Sequence, residues 1–472
     1  MRKSVFGEIP HLPKAFTAGV IITAAIMLLL FATEHLSSES TRANLRHSFA
    51  ENSLQLQDWR WTDRRIGTNQ YNDCLLVMMA RFSVSPWRSA VAPVVVFGGD
   101  ATPRIGPKGR HLSQCEIARL AVLSDSPGQL FEPESYIEYS RYVHAYRIPF
   151  QLLISVTTVH WIRILYRALL VGTMLGIFLA HCIRYRSMRR SANRAGAAAH
   201  LGFAWISLCF LALYGLDFYG PSLTHAPADL LVFAAFGWLS LRNPAHGDRD
   251  FLYLGALGAL AFGFDFLHGT IPLTLAVLLG CTALRSYAAG GRLTARDLSL
   301  VAGTFCLGAG GALAAKLIAV AAVQSAPGIV SFFDQLAFRV GGDNYTYLDV
   351  ARHLGRRIGM IFWGNRPIGV AVVSLSVAAM AIALIRAAMR NSHWQERQLV
   401  FGLGLSAGVI LLWYLTFKNH SAIHGFMVRL LVWIVAVGPL ALTVSLLRLR
   451  KRNEPGSSSS LPPACFGQRA RP

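Results

Sequence analysis

Acid is scarce in this chain, and lysine scarcer still. Its 472 residues hold 24 Asp and Glu against 45 Lys and Arg, and only six of those 45 are lysine. Charged residues of either sign make up 15%, against 53% hydrophobic, and the mean hydropathy is +0.42. A soluble domain of this size does not read so apolar, so the chain is expected to cross a membrane many times. In a soluble protein a surplus of 21 positive charges would suggest nucleic acid. Here it fits basic loops on the cytoplasmic side, and no nucleic-acid partner is expected.

Several signatures are also missing. There is no Walker A motif, Rossmann fingerprint, nucleophile elbow or HExxH. No cytoplasmic loop has room for a nucleotide domain, so ATP-driven chemistry by this chain alone is not expected, and no cofactor is implied. CxxC and Cys/His zinc spacings are absent, which argues against a structural metal. No internal repeat is visible, which weighs against an inverted-repeat transporter.

What is present is a series of apolar runs of about 20 residues, the length a bilayer requires. They lie at roughly 15–33, 164–183, 198–216, 228–242, 251–267, 271–287, 298–323, 367–388, 399–417 and 426–447. The fold expected is an all-α polytopic membrane protein of about ten transmembrane helices. Alternate loops carry the arginines: Arg184 to Arg194, then Arg242 and Arg249, then Arg285 to Arg296, then Arg386 to Arg397, then the tail. The positive-inside rule places these, and both termini, in the cytoplasm of a bacterial inner-membrane protein. The first run is long for a signal peptide and no A-x-A site follows it, so it reads as a retained anchor.

Four parts follow. Residues 1–33 are the cytoplasmic N-terminus and anchor. Residues 34–148 form an outer, periplasmic segment whose 13 basic and 12 acidic residues nearly cancel, as in a small folded α/β or α domain. Residues 149–447 are the multi-span part, with an outer loop at 324–366. Residues 448–472 are a basic, low-complexity tail. Within the outer segment, "CLLVMMARF" reads as a helix and "VAPVVVF" as a strand. Cys74 and Cys115 are its only cysteines, which suggests one disulfide in an oxidising compartment.

Ionisable groups gather at the outer edge. Asp217 and Asp229 flank the third and fourth runs. Asp265 and His268 lie in a tight turn, where turn formation and capping are the competing role. Lys316 sits inside the seventh run; it and Arg429 either face a cavity or partner or snorkel to the interface. Two basic amphipathic segments, 139–167 and 344–367, are expected to lie in the interface plane. The first offers Arg141, His144, Arg147, Arg163 and Arg167 among aromatics. The second puts Arg352 and Arg356 on one helix face, beside Arg357. Their partners are lipid headgroups or the phosphate of a lipid-linked substrate, which arginine's planar fork suits. "FKNHSAIHGFMVR" adds Lys418, His420, His424 and Arg429. The two histidines share a helix face, but no acidic third ligand is near for a metal. An anion or sugar-phosphate site and a simple interfacial cap both remain open. Asp58, Asp63 and Asp73 are candidates for a general base, with a helix N-cap as the alternative role for Asp73.

This layout resembles the GT-C class of polytopic glycosyltransferases, in architecture over most of the chain rather than in a specific motif. The resemblance implies transfer of a sugar from a polyprenyl-phosphate carrier to a glycan or lipid acceptor on the non-cytoplasmic face. It implies Asp73 as the base, with Arg352, Arg356, Lys418, His420, His424 and Arg429 touching phosphate or sugar. Asp73 and 418–429 would then line one outer cavity. The sequence departs from the class in lacking an adjacent acidic pair in its long first loop, which leaves Asp58 and Asp63 in contention. The competing readings are a transporter or flippase for a lipid-linked or anionic solute, and a non-catalytic assembly protein.

Overall fold

The computed structural model describes residues 11–36, 39–56, 70–82, 85–97, 112–242, 248–265, 269–341, 344–389 and 394–452. Asp58, Asp63 and His268 lie outside them. The described chain is almost entirely helical.

Helix α1 (His11–Glu34) leads into a smaller unit of α2 (Glu39–Ala50), α3 (Gln70–Met79), α4 (Pro86–Val91), α5 (Gln114–Leu123) and α6 (Arg147–Ile154). Ser113 caps α5 through a full capping box with Glu116, which fixes where that helix starts. A disulfide joins Cys74 of α3 to Cys115 of α5, with Cα atoms 5.1 Å apart. The expected strand is real but minimal. Val94–Val95 (β1) pairs antiparallel with Ile137–Glu138 (β2).

The remaining helices are α7 (Val159–Arg190), α8 (Arg194–Leu213), α9 (His225–Leu241), α10 (Asp248–Asp265), α11 (Thr270–Ala288), α12 (Ala295–Gly341), α13 (Tyr347–Arg357), α14 (Arg366–Met389), α15 (Trp394–Thr416), α16 (Lys418–Ile423) and α17 (Leu431–Arg452). Among the described residues, eight helices are long and apolar enough to cross a membrane, and His225–Leu241 and Phe251–Phe264 are shorter apolar helices. Those two match the fourth and fifth of the ten expected runs. Helix α12 runs on past its apolar part, breaking at Ser325 (φ +59°) two residues before Pro327. The proline cannot continue the backbone ladder, but helix resumes beyond it to Gly341, so part of the expected loop 324–366 is helix.

Glycine sets how closely three helices meet. A Cβ on Gly308 of α12 would lie 1.9 Å from the Gly255 carbonyl oxygen of α10, and one on Gly19 of α1 would lie 2.2 Å from the Gly308 oxygen. Small residues let helix backbones touch in this way. Above this contact the smaller unit is tied down by charge. Glu34 at the end of α1 pairs with Arg147 of α6, which also donates to the Ser89 carbonyl at 2.8 Å. Lys316 of α12, fully buried, donates to the Val91 carbonyl at the end of α4. The first part of the segment 139–167 is therefore packed against protein rather than laid out along a surface. His144 and Arg147 are buried, with the Arg147 guanidinium paired to Glu34 inside the protein.

Candidate functional site

Asp73 lies where the smaller unit meets the long apolar helices. Its side chain is fully buried. The Arg163 Nη2 of α7 donates to Oδ2 at 2.8 Å. The Leu223 backbone N–H and the Ser222 hydroxyl donate to Oδ1 at 2.9 and 3.2 Å. Arg163 also reaches the Ser53 carbonyl. Burial raises the Asp73 proton affinity, and Arg163 and the donors to Oδ1 offset only part of that, so its pKa sits above the ordinary 3.8. A carboxylate in such a place is a stronger base than one in water.

The polar groups around Asp73 are under-used. The Tyr166 hydroxyl, within electrostatic range of Asp73, makes no hydrogen bond, nor does Arg163 Nε. Gln70, one helical turn before Asp73, leaves both carboxamide atoms unbonded although it is 1% exposed. Each buried unpaired polar group costs roughly 1–3 kcal/mol. Such a group is the kind that a polar guest or a water satisfies.

The loop between α8 and α9 joins Asp73 to two further features. At one end Ser222 and Leu223 hold Asp73. In its middle Tyr219 lies under Arg429, with the guanidinium carbon 5.4 Å from the ring centroid. Arg429 pairs with Asp229 at 2.7 Å, and Asp229 accepts the Tyr214 hydroxyl at 2.8 Å; both charged residues are 1% exposed. At its other end the loop walls a cleft of about 280 Å³ lined by Arg167, Leu211, Gly215, Asp217, Met360 and Trp363, among others. Gly215 is needed there. Its φ is +70°, and a Cβ would meet the Met360 carbonyl at 3.1 Å.

The residues expected to bind substrate fall into three groups. Arg147, Lys316 and Arg429 are buried among protein partners. His420 is also buried (1% exposed), its ring 4.4 Å from that of His424. His424 accepts a hydrogen bond from Arg339 at 2.9 Å and stacks on Phe426. Arg141, Arg352, Arg356 and Lys418 stand nearer the surface. Arg141 lies over Tyr139, Lys418 over Tyr347, and Arg352 pairs loosely with Asp349 at 3.5 Å. Asp265 closes α10. The cleft includes neither Asp73 nor any residue of 418–429; the 214–224 loop connects the two.

Arg163 stood out from sequence only as one basic residue of the 139–167 segment, and Tyr166, Gln70 and Trp363 did not stand out at all. One signal was available: Arg163 and Arg167, four apart and so on one face, interrupt an otherwise apolar helix. No group of three or more His, Cys, Asp or Glu able to hold a metal ion occurs among the described residues. Comparison with known family models, with curated proteins and with solved structures returned no match.

Proposed function

We propose that this chain is a membrane glycosyltransferase that moves a sugar from a polyprenyl-phosphate carrier to an envelope glycan or lipid acceptor. In this reading ten helices cross the inner membrane, both termini are cytoplasmic, and residues 34–148 lie outside. The reading rests on one observation: Asp73, a buried carboxylate of raised basicity, sits among polar side chains that lack partners, where the smaller unit meets the long apolar helices. The carrier phosphate is already a good leaving group, so the acceptor hydroxyl chiefly needs a base. Asp73 takes the hydroxyl proton, the oxygen forms the new glycosidic bond, and the sugar–phosphate bond breaks toward the carrier. Arg163 beside the base and the exposed Arg352 and Arg356 at the same end supply positive charge for the departing phosphate.

The test is the envelope glycan composition of a deletion strain, complemented with wild type or with Asp73→Asn. The expected result is loss of one sugar linkage, restored by wild type and not by Asp73→Asn protein present at equal levels. Unchanged glycans in the deletion strain would turn the reading to transport or assembly. Full rescue by Asp73→Asn would remove Asp73 as the base.

A further inference from the structure

The cleft beside the 214–224 loop has a chemistry of its own. Arg167 lies on α7, and Arg184 lies 17 residues further along the same helix. At about 1.5 Å per residue that is roughly 25 Å, close to the thickness of a bilayer's hydrocarbon core. Between them the helix turns apolar side chains outward, with Leu169, Leu175 and Leu179 42%, 44% and 50% exposed. Arg167 therefore stands at the headgroup level of one leaflet, on a lipid-facing surface.

Two unlike charges share this cleft without meeting. Arg167 and Asp217 both line it and both are exposed. Among the described residues neither forms an ion pair, with the other or with any third group. The Arg167 stem lies beside Gly220, so the loop that carries Asp217 also steers the arginine. A lone arginine at this depth is explained by any lipid phosphate. A lone carboxylate is not, because anionic lipids repel it.

The third element is Trp363. It is 61% exposed at the cleft. Two successive left-handed residues, Trp363 (φ +49°) and Gly364 (φ +83°), present it there, and the Gly364 N–H bonds back to the Gly359 carbonyl at 2.6 Å. An exposed indole at headgroup depth anchors the interface and offers its face to a cation. Val171, Leu211 and Ile361 complete an apolar wall.

We propose that this cleft binds the headgroup of a zwitterionic phospholipid with a primary ammonium, a phosphoethanolamine lipid. Its phosphate lies on Arg167, its ammonium donates to Asp217 beneath the Trp363 ring, and its acyl chains run down the outward face of α7. The site stands whether or not the chain transfers sugars.

The experiment is native mass spectrometry of the full chain in a non-ionic detergent, titrated with phosphatidylethanolamine, phosphatidylcholine or phosphatidylglycerol. Wild type is expected to retain phosphatidylethanolamine at collision energies that strip the other two. Asp217→Asn should lower the ratio of phosphatidylethanolamine to phosphatidylglycerol by about fivefold, the worth of one good exposed ion pair. Arg167→Gln should weaken both lipids alike. A wild type that prefers phosphatidylglycerol, or a ratio that Asp217→Asn leaves unchanged, overturns the proposal. Equal retention of phosphatidylcholine overturns the primary-ammonium assignment. Asp217 is exposed and unpaired, so its variant folds and decides the question even if Arg167→Gln does not.

Discussion

Arg163 binds the Asp73 carboxylate at 2.8 Å, and Arg167, one turn further along α7, lines the cleft proposed to hold a lipid headgroup. A single helix face thus touches both the candidate base and the candidate lipid site. The 214–224 loop closes the same circuit from the other side, holding Asp73 through Ser222 and Leu223 and placing Asp217 in the cleft. Asp73 therefore holds the loop that walls the cleft, whatever its role as the proposed base, and its variants should affect both.

Removing Arg163 should be costly. Arg163→Met leaves a buried carboxylate without its counter-charge, and breaking such a pair from one side costs on the order of 3 kcal/mol. The pH dependence follows from the raised pKa of Asp73. The folded state holds this proton more tightly than the unfolded state, whose value is near the ordinary 3.8. Stability from this group is therefore present at low pH and falls as pH rises from about 3.8 through the raised folded value. Melting temperatures of the detergent-solubilised protein across that range should show the fall, and Asp73→Asn should flatten it.

The Cys74–Cys115 disulfide spans 41 residues. Loop-closure entropy for that length amounts to about 4 kcal/mol. Because it clamps the helix that carries Asp73, reduction should loosen the base as well as the unit. Thermal unfolding with and without reductant, and of Cys74→Ser/Cys115→Ser, should show a lower transition in both cases. A melting curve indifferent to reductant would mean that the α3–α5 packing holds without the bond.

Much of this was written locally and was therefore legible. The apolar runs, the two cysteines and the amphipathic pattern of α13 each occupy a short window of sequence. In α13 Arg352 and Arg356 are exposed while Val350 is buried, as the 3.6-residue period requires. The destinations of the buried charges were not legible. Arg147 finds Glu34 at a distance of 113 residues, Arg429 finds Asp229 at 200, and Lys316 finds Val91 at 225. Nothing near Arg147 distinguishes an arginine bound for lipid phosphate from one bound for a buried glutamate. The same limit hid the partnerless Gln70 and Tyr166, which only a packed structure can show to be buried.

The Arg429–Asp229 pair should behave as one unit. Either Arg429→Met or Asp229→Leu alone strands a charge in an apolar surround and should destabilise by about 3–5 kcal/mol. The double variant strands none. Its loss should be well below the sum of the two single losses, and the difference read from a double-mutant cycle measures the coupling. Additive losses would show that each residue acts through Tyr214 and Tyr219 rather than through its partner.

Two glycines on α12 test the close helix contact against ordinary helix propensity. A Cβ at Gly308 would lie 1.9 Å from the Gly255 oxygen and 2.6 Å from its Cα, whereas a Cβ at Gly310 would meet nothing within 4 Å. The obstacle at Gly308 is backbone, which cannot rotate away, so α10 and α12 must separate to admit a methyl group. Overpacking of this kind costs about 1–3 kcal/mol, and the separation would also disturb α1, whose Gly19 sits against the Gly308 carbonyl. Gly310→Ala meets no such obstacle and gains up to about 1 kcal/mol of helix propensity. Gly308→Ala should therefore melt several degrees below wild type, and Gly310→Ala at or above it. Equal melting temperatures for the two would mean that the close glycine contact does not limit how the three helices pack.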